Sequence, residues 1–390
     1  AGGMTETPEL NGLTHLWEHM FFKGNKKIPT QEGFRRRIRQ LGISYNGDTS
    51  AEKVRYFFTL PSVFLEEGLE FMADAIRTPN LSIEELEKEI NVVLNEYQRS
   101  ASNPSFLSRN ARRKIIYGNQ EYQRDPLGKR STIKAANKKH LDQIKYDVFV
   151  PANGAIIIGG NIKHEEVMKL TKKYFDNWKN PKNWKSPVRP KLPSFPKSAA
   201  FNFSHPLTQD AKLLMTFQGP KAREAQKATY AADMLIGLLD HKSGKFYNKF
   251  INSGLTFDAG IYYHTQSHAG EVNLYSHSKA NLKEQLKKQF LSEINAWKND
   301  GYFTEKQLED VKRGLLIRHK MDTAKPSEYV KTLAFWWAVT GLDYYSSYRQ
   351  NLEKVSIKDI QKFVKDYLAG KPHIDTLLYN KNEATKMKVD

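Results

Sequence analysis

Cysteine does not occur among the 390 residues. No disulfide supports the fold, and any zinc must be held by histidine and carboxylate. No apolar run approaches the roughly 20 residues that cross a bilayer, so the visible chain is read as soluble. An initiator methionine is missing as well: the chain begins Ala1-Gly2-Gly3, and an upstream piece carrying any signal peptide is expected. What remains excludes disorder. Hydrophobic residues make up 39% and aromatics 12%, enough for two ordinary domains with cores. Acidic residues are outnumbered, which leaves a net charge of +18. Lys and Arg are spread along the chain, densest over 109–139 and 172–197, and no nucleic-acid-binding motif accompanies them. A solvated lysine-rich surface is the expected reading, with no nucleic-acid partner.

Against these absences stands His15-Leu16-Trp17-Glu18-His19. On a helix, positions i, i+3 and i+4 share a face. His15, Glu18 and His19 therefore aim at a common point, while Trp17 and Met20 pack elsewhere. Two neutral imidazoles suit zinc, and a carboxylate between them suits the general base for an activated water. A helix with polar residues on its wet face would read the same way, so the rest of the chain has to decide.

Asn11-Gly12 makes the turn before that helix. Thr30 caps a second helix to about Gln40, with Phe34 and Ile38 inward. Val54–Leu60 reads as a strand and Pro61–Ile76 as an amphipathic helix. Ser82 with Glu85 forms a capping box for a helix to about Ser100. In it Leu86, Ile90, Val93 and Tyr97 form the apolar stripe. Glu89 and Glu96 lie two turns apart on nearly one face. Two acids in register are usually solvated, but zinc held by two histidines needs a third ligand, and Glu96 would serve. Residues 103–139 are basic and polar, with Asp125-Pro126-Leu127-Gly128 a turn. Ala155–Gly159 reads as a buried strand, and five prolines between 181 and 197 mark a linker. This gives a zinc-binding domain over 1–180, a linker over 181–197 and a homologous domain without metal over 198–390. The homology is a weak internal duplication: Phe246–Gly254 with Leu255-Thr-Phe-Asp matches Phe34–Gly42 with Ile43-Ser-Tyr-Asn. The helix matching the histidine one is expected near 231–239.

Taken together, His15-x-x-Glu18-His19, Asn46 after a glycine-ended helix, and Glu89 with Glu96 resemble the pitrilysin family of inverted-motif zinc peptidases. That family includes insulin-degrading enzyme and the mitochondrial processing peptidases. The resemblance extends through Met20-Phe-Phe-Lys-Gly, Asp125-Pro-Leu-Gly and the second half. It implies an α+β fold of two similar domains, each a mainly antiparallel sheet packed with helices. It implies that His15, His19 and Glu96 hold Zn2+, that Glu18 is the general base, and that Glu89 orients the site. Asn46 is implied to lie on or beside a strand that pairs with the extended substrate.

Two departures follow. Where many members read Asn-Ala-x-Thr, this chain reads Asn46-Gly47-Asp48-Thr49. Active members also carry an Arg and a Tyr in a segment ending Gly-Leu-x-Tyr; here both positions are phenylalanine, Phe250 and Phe257. The resemblance therefore implies an endopeptidase for short or unfolded peptides that needs a homologous partner subunit to supply Arg and Tyr, a heterodimer. A non-catalytic scaffold subunit is the alternative. The expected compartment is the bacterial periplasm, with the cytoplasm as the alternative.

Overall fold

A computed structural model describes residues 1–187, 192, 195 and 197–380. Pro190, Pro193 and Pro196 of the expected linker lie outside the described residues. The helices of the first half begin where capping chemistry places them. Helix α1 spans Leu13–Phe21, and α2 (Gln31–Gln40) starts at Thr30, whose side chain accepts from the Gly33 N–H. Strands β1 (Ser44–Thr49) and β2 (Val54–Thr59) pair antiparallel. They are followed by α3 (Leu65–Arg77) and the long α4 (Ile83–Ala101). Ser82 Oγ accepts from the Glu85 N–H, as the capping box predicts.

The stretch expected to be merely basic contains a helix, α5 (Pro104–Tyr117), capped by Asn103 with proline at its first turn. After it come α6 (Arg130–Lys134), α7 (Lys138–Asp147) and α8 (His164–Phe175). Residues 155–159, read from sequence as a buried strand, run without a partner strand, and Ile156 is 44% exposed. Their apolar run signalled a strand, but a strand exists only with a neighbour to bond, and none of the described residues supplies one.

The second half contributes β3 (Ala199–Ser204), β4 (Ala211–Gln218), α9 (Gln226–Leu239) and α10 (Lys245–Tyr247), which runs into a π turn over Asn248–Asn252. Next are β5 (Asp258–Thr265), β6 (Gly270–Ser278), α11 (Lys283–Ala296) and α12 (Glu305–Asp322). The described chain closes with α13 (Pro326–Val339), α14 (Leu342–Ser346), α15 (Tyr348–Glu353), α16 (Ile357–Tyr367) and β7 (His373–Tyr379). The sheet order is β3-β7-β4-β6-β5, antiparallel throughout except for the parallel β3–β7 pair.

Contacts gather the chain into two units that interleave in sequence. The first is 1–101, 119–190 and 323–338; the second is 102–118, 191–322 and 339–390. Helix α5 thus joins the second unit, where it packs on β7, and α13 joins the first. The first unit has an apolar core around α1 and α4 that includes Leu13, Leu16, Trp17, Met20, Leu86 and Val93. A second cluster of Phe21, Phe34, Ile38 and Phe71 lies under β1 and β2. In the second unit the inward faces of β4 and β6, with Leu213, Met215, Phe217, Val272 and Leu274, are fully buried.

Candidate metal centre

Helix α1 has to start at a fixed point if its histidines are to be placed. Gly12, its first flanking residue, has no side chain to cap it. Glu6 does that work from a distance: its carboxylate accepts from the N–H groups of Gly12 at 2.8 Å and Thr14 at 2.7 Å. A negative group belongs at this positive helix end. Asn11 donates to Glu6 at 3.0 Å and to the Asp125 carbonyl at 3.1 Å, tying in the Asp-Pro-Leu-Gly turn. Gly12 has φ 94°, and a Cβ there would stand 2.6 Å from Gly128 Cα. Both turns flagged in the sequence therefore serve the start of this helix.

Apolar Leu13, Leu16, Trp17 and Met20 bury the opposite face of α1 against α4 and α7. The polar face then meets the acids of α4. His15 Nε2 lies 3.8 Å and His19 Nε2 3.6 Å from Glu96 Oε2. One ligand atom from each of the three residues falls within 4.8 Å of the others. In a tetrahedral zinc site with bonds near 2.1 Å, ligand atoms stand about 3.4 Å apart, close to the two histidine–glutamate distances of 3.8 and 3.6 Å. The chemistry of the donors fits too. Burial, then the neighbouring His19, brings the His15 ring down to about 4 and leaves a lone pair free at neutral pH. For His19, burial pulls down, but the bond to Glu89 and the charges of Glu96 and Glu89 raise its proton affinity. A ring that attracts a proton so strongly attracts a cation for the same reason.

Glu89 is buried and holds the outer nitrogen of this ring: its Oε2 is 2.9 Å from His19 Nδ1. Its other oxygen, Oε1, is 2.5 Å from Lys23 Nζ. Burial raises the Glu89 carboxyl, but the bonds from His19 and Lys23 outweigh it and hold it below its usual range. His15 differs, because its Nδ1 is buried with no hydrogen-bond partner among the described residues.

Glu18, on the same helix as the two histidines, meets β1. Thr49 donates to its Oε2 at 2.5 Å, and burial raises its carboxyl above the ordinary value. Gly47 lies against it: a Cβ there would be 2.7 Å from Glu18 Oε1. Tyr56, on β2 opposite Gly47, is partly buried, and its buried hydroxyl has no hydrogen-bond partner among the described residues. Asn46 is exposed on β1 beside Gly47, and its side-chain oxygen accepts from the Gly47 N–H. Thr49, Gly47 and Lys23 carry no role in the sequence reading, because their roles depend on how a strand and a turn approach α1.

The two phenylalanines of the second unit have different surroundings. Phe250 is fully buried between Phe246 and Phe290, with ring centroids at 4.6 and 5.0 Å. Phe257, at the start of β5, is 60% exposed. Neither carries a hydrogen-bond donor on its side chain.

The insulinase family (Peptidase family M16) matches residues 1–129, and the Peptidase M16 inactive domain matches 135–315. An uncharacterized zinc protease, YmxG, from Bacillus subtilis is 25% identical over 374 residues, which is 94% of this chain and 89% of that protein. The mitochondrial-processing peptidase subunit beta of Bos taurus is 30% identical over 175 residues, 45% of this chain and 36% of that protein. A crystal structure of a protease from Helicobacter pylori superposes with a TM-score of 0.88 at 20% identity, covering 97% of this chain and 91% of that one. Among the described residues no helix is long and apolar enough to cross a membrane. The motif helix, the distant acids and both halves of the chain agree with these matches: the chain belongs to the insulinase family of peptidases, family M16.

Proposed function

We propose that this chain is the zinc-bearing subunit of an endopeptidase that cuts short or unfolded peptides inside a closed cavity. The observation that carries the proposal is the convergence of His15, His19 and Glu96 within 4.8 Å, with Glu18 one turn along the same helix. A zinc ion there supplies a Lewis acid and makes a nearby water more acidic. Glu18, buried and held by Thr49, takes a proton from the attacking water and returns it to the leaving nitrogen. Strand β1 pairs only with β2 among the described residues, so its other edge is open to an extended peptide by strand addition, with Asn46 on it.

The transition state also needs donors for the developing oxyanion. Phe250 and Phe257 supply none, so the Arg and Tyr come from a homologous partner subunit in a heterodimer. The similarity to a protein named as a subunit supports this arrangement. The same two phenylalanines favour a second reading, a non-catalytic scaffold subunit. The periplasm is the setting proposed, since a cysteine-free chain is indifferent to an oxidising compartment. Nucleic acid is not a proposed partner.

Metal analysis of the purified chain, with a peptidase assay before and after adding a co-purified partner, decides between the readings. About one zinc per chain and activity that appears with the partner support the enzyme. A chain without zinc supports the scaffold, and full turnover by the isolated chain refutes the shared site.

A further inference from the structure

Among the described residues, Lys23 is the cation that pairs with an acid of the metal centre. It lies just past α1, four residues after His19, where its N–H bonds to the Met20 carbonyl and keeps the helical course. Four residues is about one turn, so the two side chains rise from one face and reach the same carboxylate. His19 Nδ1 meets Glu89 Oε2 at 2.9 Å and Lys23 Nζ meets Oε1 at 2.5 Å. Lys23 is itself only 9% exposed. The Gln31 side chain of α2 lies beside it, and the amide orientation that suits both Lys23 and Arg35 brings its oxygen to 2.7 Å from Nζ. A flexible lysine is thus fixed at both sides.

The need for it follows from Glu89, which is 4% exposed. A buried carboxylate without a cation is costly. Lys23 holds Oε1, and without it the Glu89 carboxylate would be free to turn away from His19 Nδ1. With Oε1 occupied by Lys23, Oε2 is left to accept from Nδ1, and Nε2 carries the lone pair toward His15 and Glu96. His15, whose Nδ1 has no partner, cannot supply that orientation.

We propose that Lys23 is a positioning residue of the metal site: by pairing with Glu89 it fixes the tautomer and direction of the His19 ring, and through that ring the affinity for zinc. The inference rests on the zinc reading above. The measurement is zinc affinity by competition with a chromophoric chelator, on the full chain and without any peptidase assay. Lys23→Gln is expected to weaken zinc about tenfold, at the lower end of the range for partners behind a ligand. Lys23→Arg, which keeps the charge and guards against a variant that fails to fold, is expected to retain most of the affinity. In a Glu89→Gln background, Lys23→Gln is expected to change nothing further, because the carboxylate it acts through is gone. A packing role would cost the same in both backgrounds. Wild-type affinity in Lys23→Gln, or an equal loss in both backgrounds, overturns the assignment while leaving the zinc reading intact. A wild-type chain that takes up no zinc overturns both.

Discussion

Helix α1 in the first unit and α9 in the second hold equivalent positions, each against a long capped helix and a strand: α4 and β1 for the first, α12 and β5 for the second. The caps fix the correspondence. Ser82 and Thr304 both accept from the N–H three residues on, so Leu86 matches Leu308, Glu89 matches Val311 and Glu96 matches Arg318. His19 touches Glu89, and Gly237 touches Val311, where an added Cβ would lie 2.4 Å from a Val311 methyl. Gly237 therefore stands for His19, and Asp233, one turn earlier, stands for His15. The buried positions around them agree: Leu13, Leu16, Met20 and Phe21 answer to Ala231, Met234, Leu238 and Leu239. One framework has thus been kept for its core and emptied of its chemistry. Two imidazoles and a carboxylate have become a carboxylate, a hydrogen and a guanidinium, which no metal would join.

The largest effect that can separate the two helices lies in the base. Glu18→Gln should keep fold and zinc, because Glu18 is no ligand, and lower turnover of the active assembly by about a hundredfold to ten-thousandfold. Asp233→Asn in the other helix should leave turnover unchanged. Wild-type activity in Glu18→Gln would remove the functional distinction between the two helices.

What could be read from sequence, and what could not, divides along the same line. Helical periods of three and four set His15, Glu18 and His19 on one face of a helix, and a period of seven sets Glu89 and Glu96 on one face of another; that the two faces belong to one site was implied only by the resemblance to the pitrilysin family. The strand beginning at Val54 and the helices after Thr30 and Ser82 were legible from residue type and caps. Helix α5 was not, since Arg109, Arg112 and Arg113 mask its stripe; it became visible only with Phe106 and Arg112 buried in the second unit. Thr49, Gly47 and Lys23 were hidden for another reason: each acts on α1 across a turn or a strand, and no local spacing encodes that approach. Asp233 was passed over because its meaning lies in the contrast with His15.

That contrast has its own pH signature. Burial pushes the Asp233 carboxyl up to about 6, against bonding from the Tyr348 hydroxyl at 3.0 Å and the charge of Arg318. Its folded value lies above its unfolded one, so between the two the native state holds more protons than the unfolded chain. Stability from this group is complete below about 4 and is lost as pH rises through 6. Relative to Asp233→Asn, the wild-type folding equilibrium should weaken by up to about a hundredfold between pH 4 and 7. Denaturant melts of both proteins across that range check it; parallel curves would show that Asp233 is solvated like any surface acid.

Glu89 tests the contrast from the other side, since its counterpart is already apolar. Glu89→Gln should lower zinc affinity about tenfold to a hundredfold, whereas Glu96→Ala should abolish measurable uptake. The reverse ranking would exchange the roles of the two acids. Val311→Ala should affect stability alone.

The smallest effect expected comes from a single hydrogen. Gly47 on β1 corresponds to Ala259 on β5, five residues after Gly42 and Gly254 respectively. The position matching Glu18 in the second unit is Ile236, which has no carboxylate to place. At position 47 an added Cβ would meet Glu18 Oε1 at 2.7 Å and Cγ at 2.9 Å. The strand is held in register with β2, so the flexible acid is the part that moves. Displacing a side chain some 30° from its rotamer costs about 0.5–1.5 kcal/mol, and the Thr49 bond is strained with it. On the proposed role of Glu18 as base and not as ligand, Gly47→Ala should leave zinc affinity unchanged and lower turnover by a factor of about two to ten. Thr49→Val should show the same pattern, because it frees the same carboxylate. A loss of zinc in Gly47→Ala would mean instead that β1 positions His15 and His19, and that the base is not the only group this strand controls.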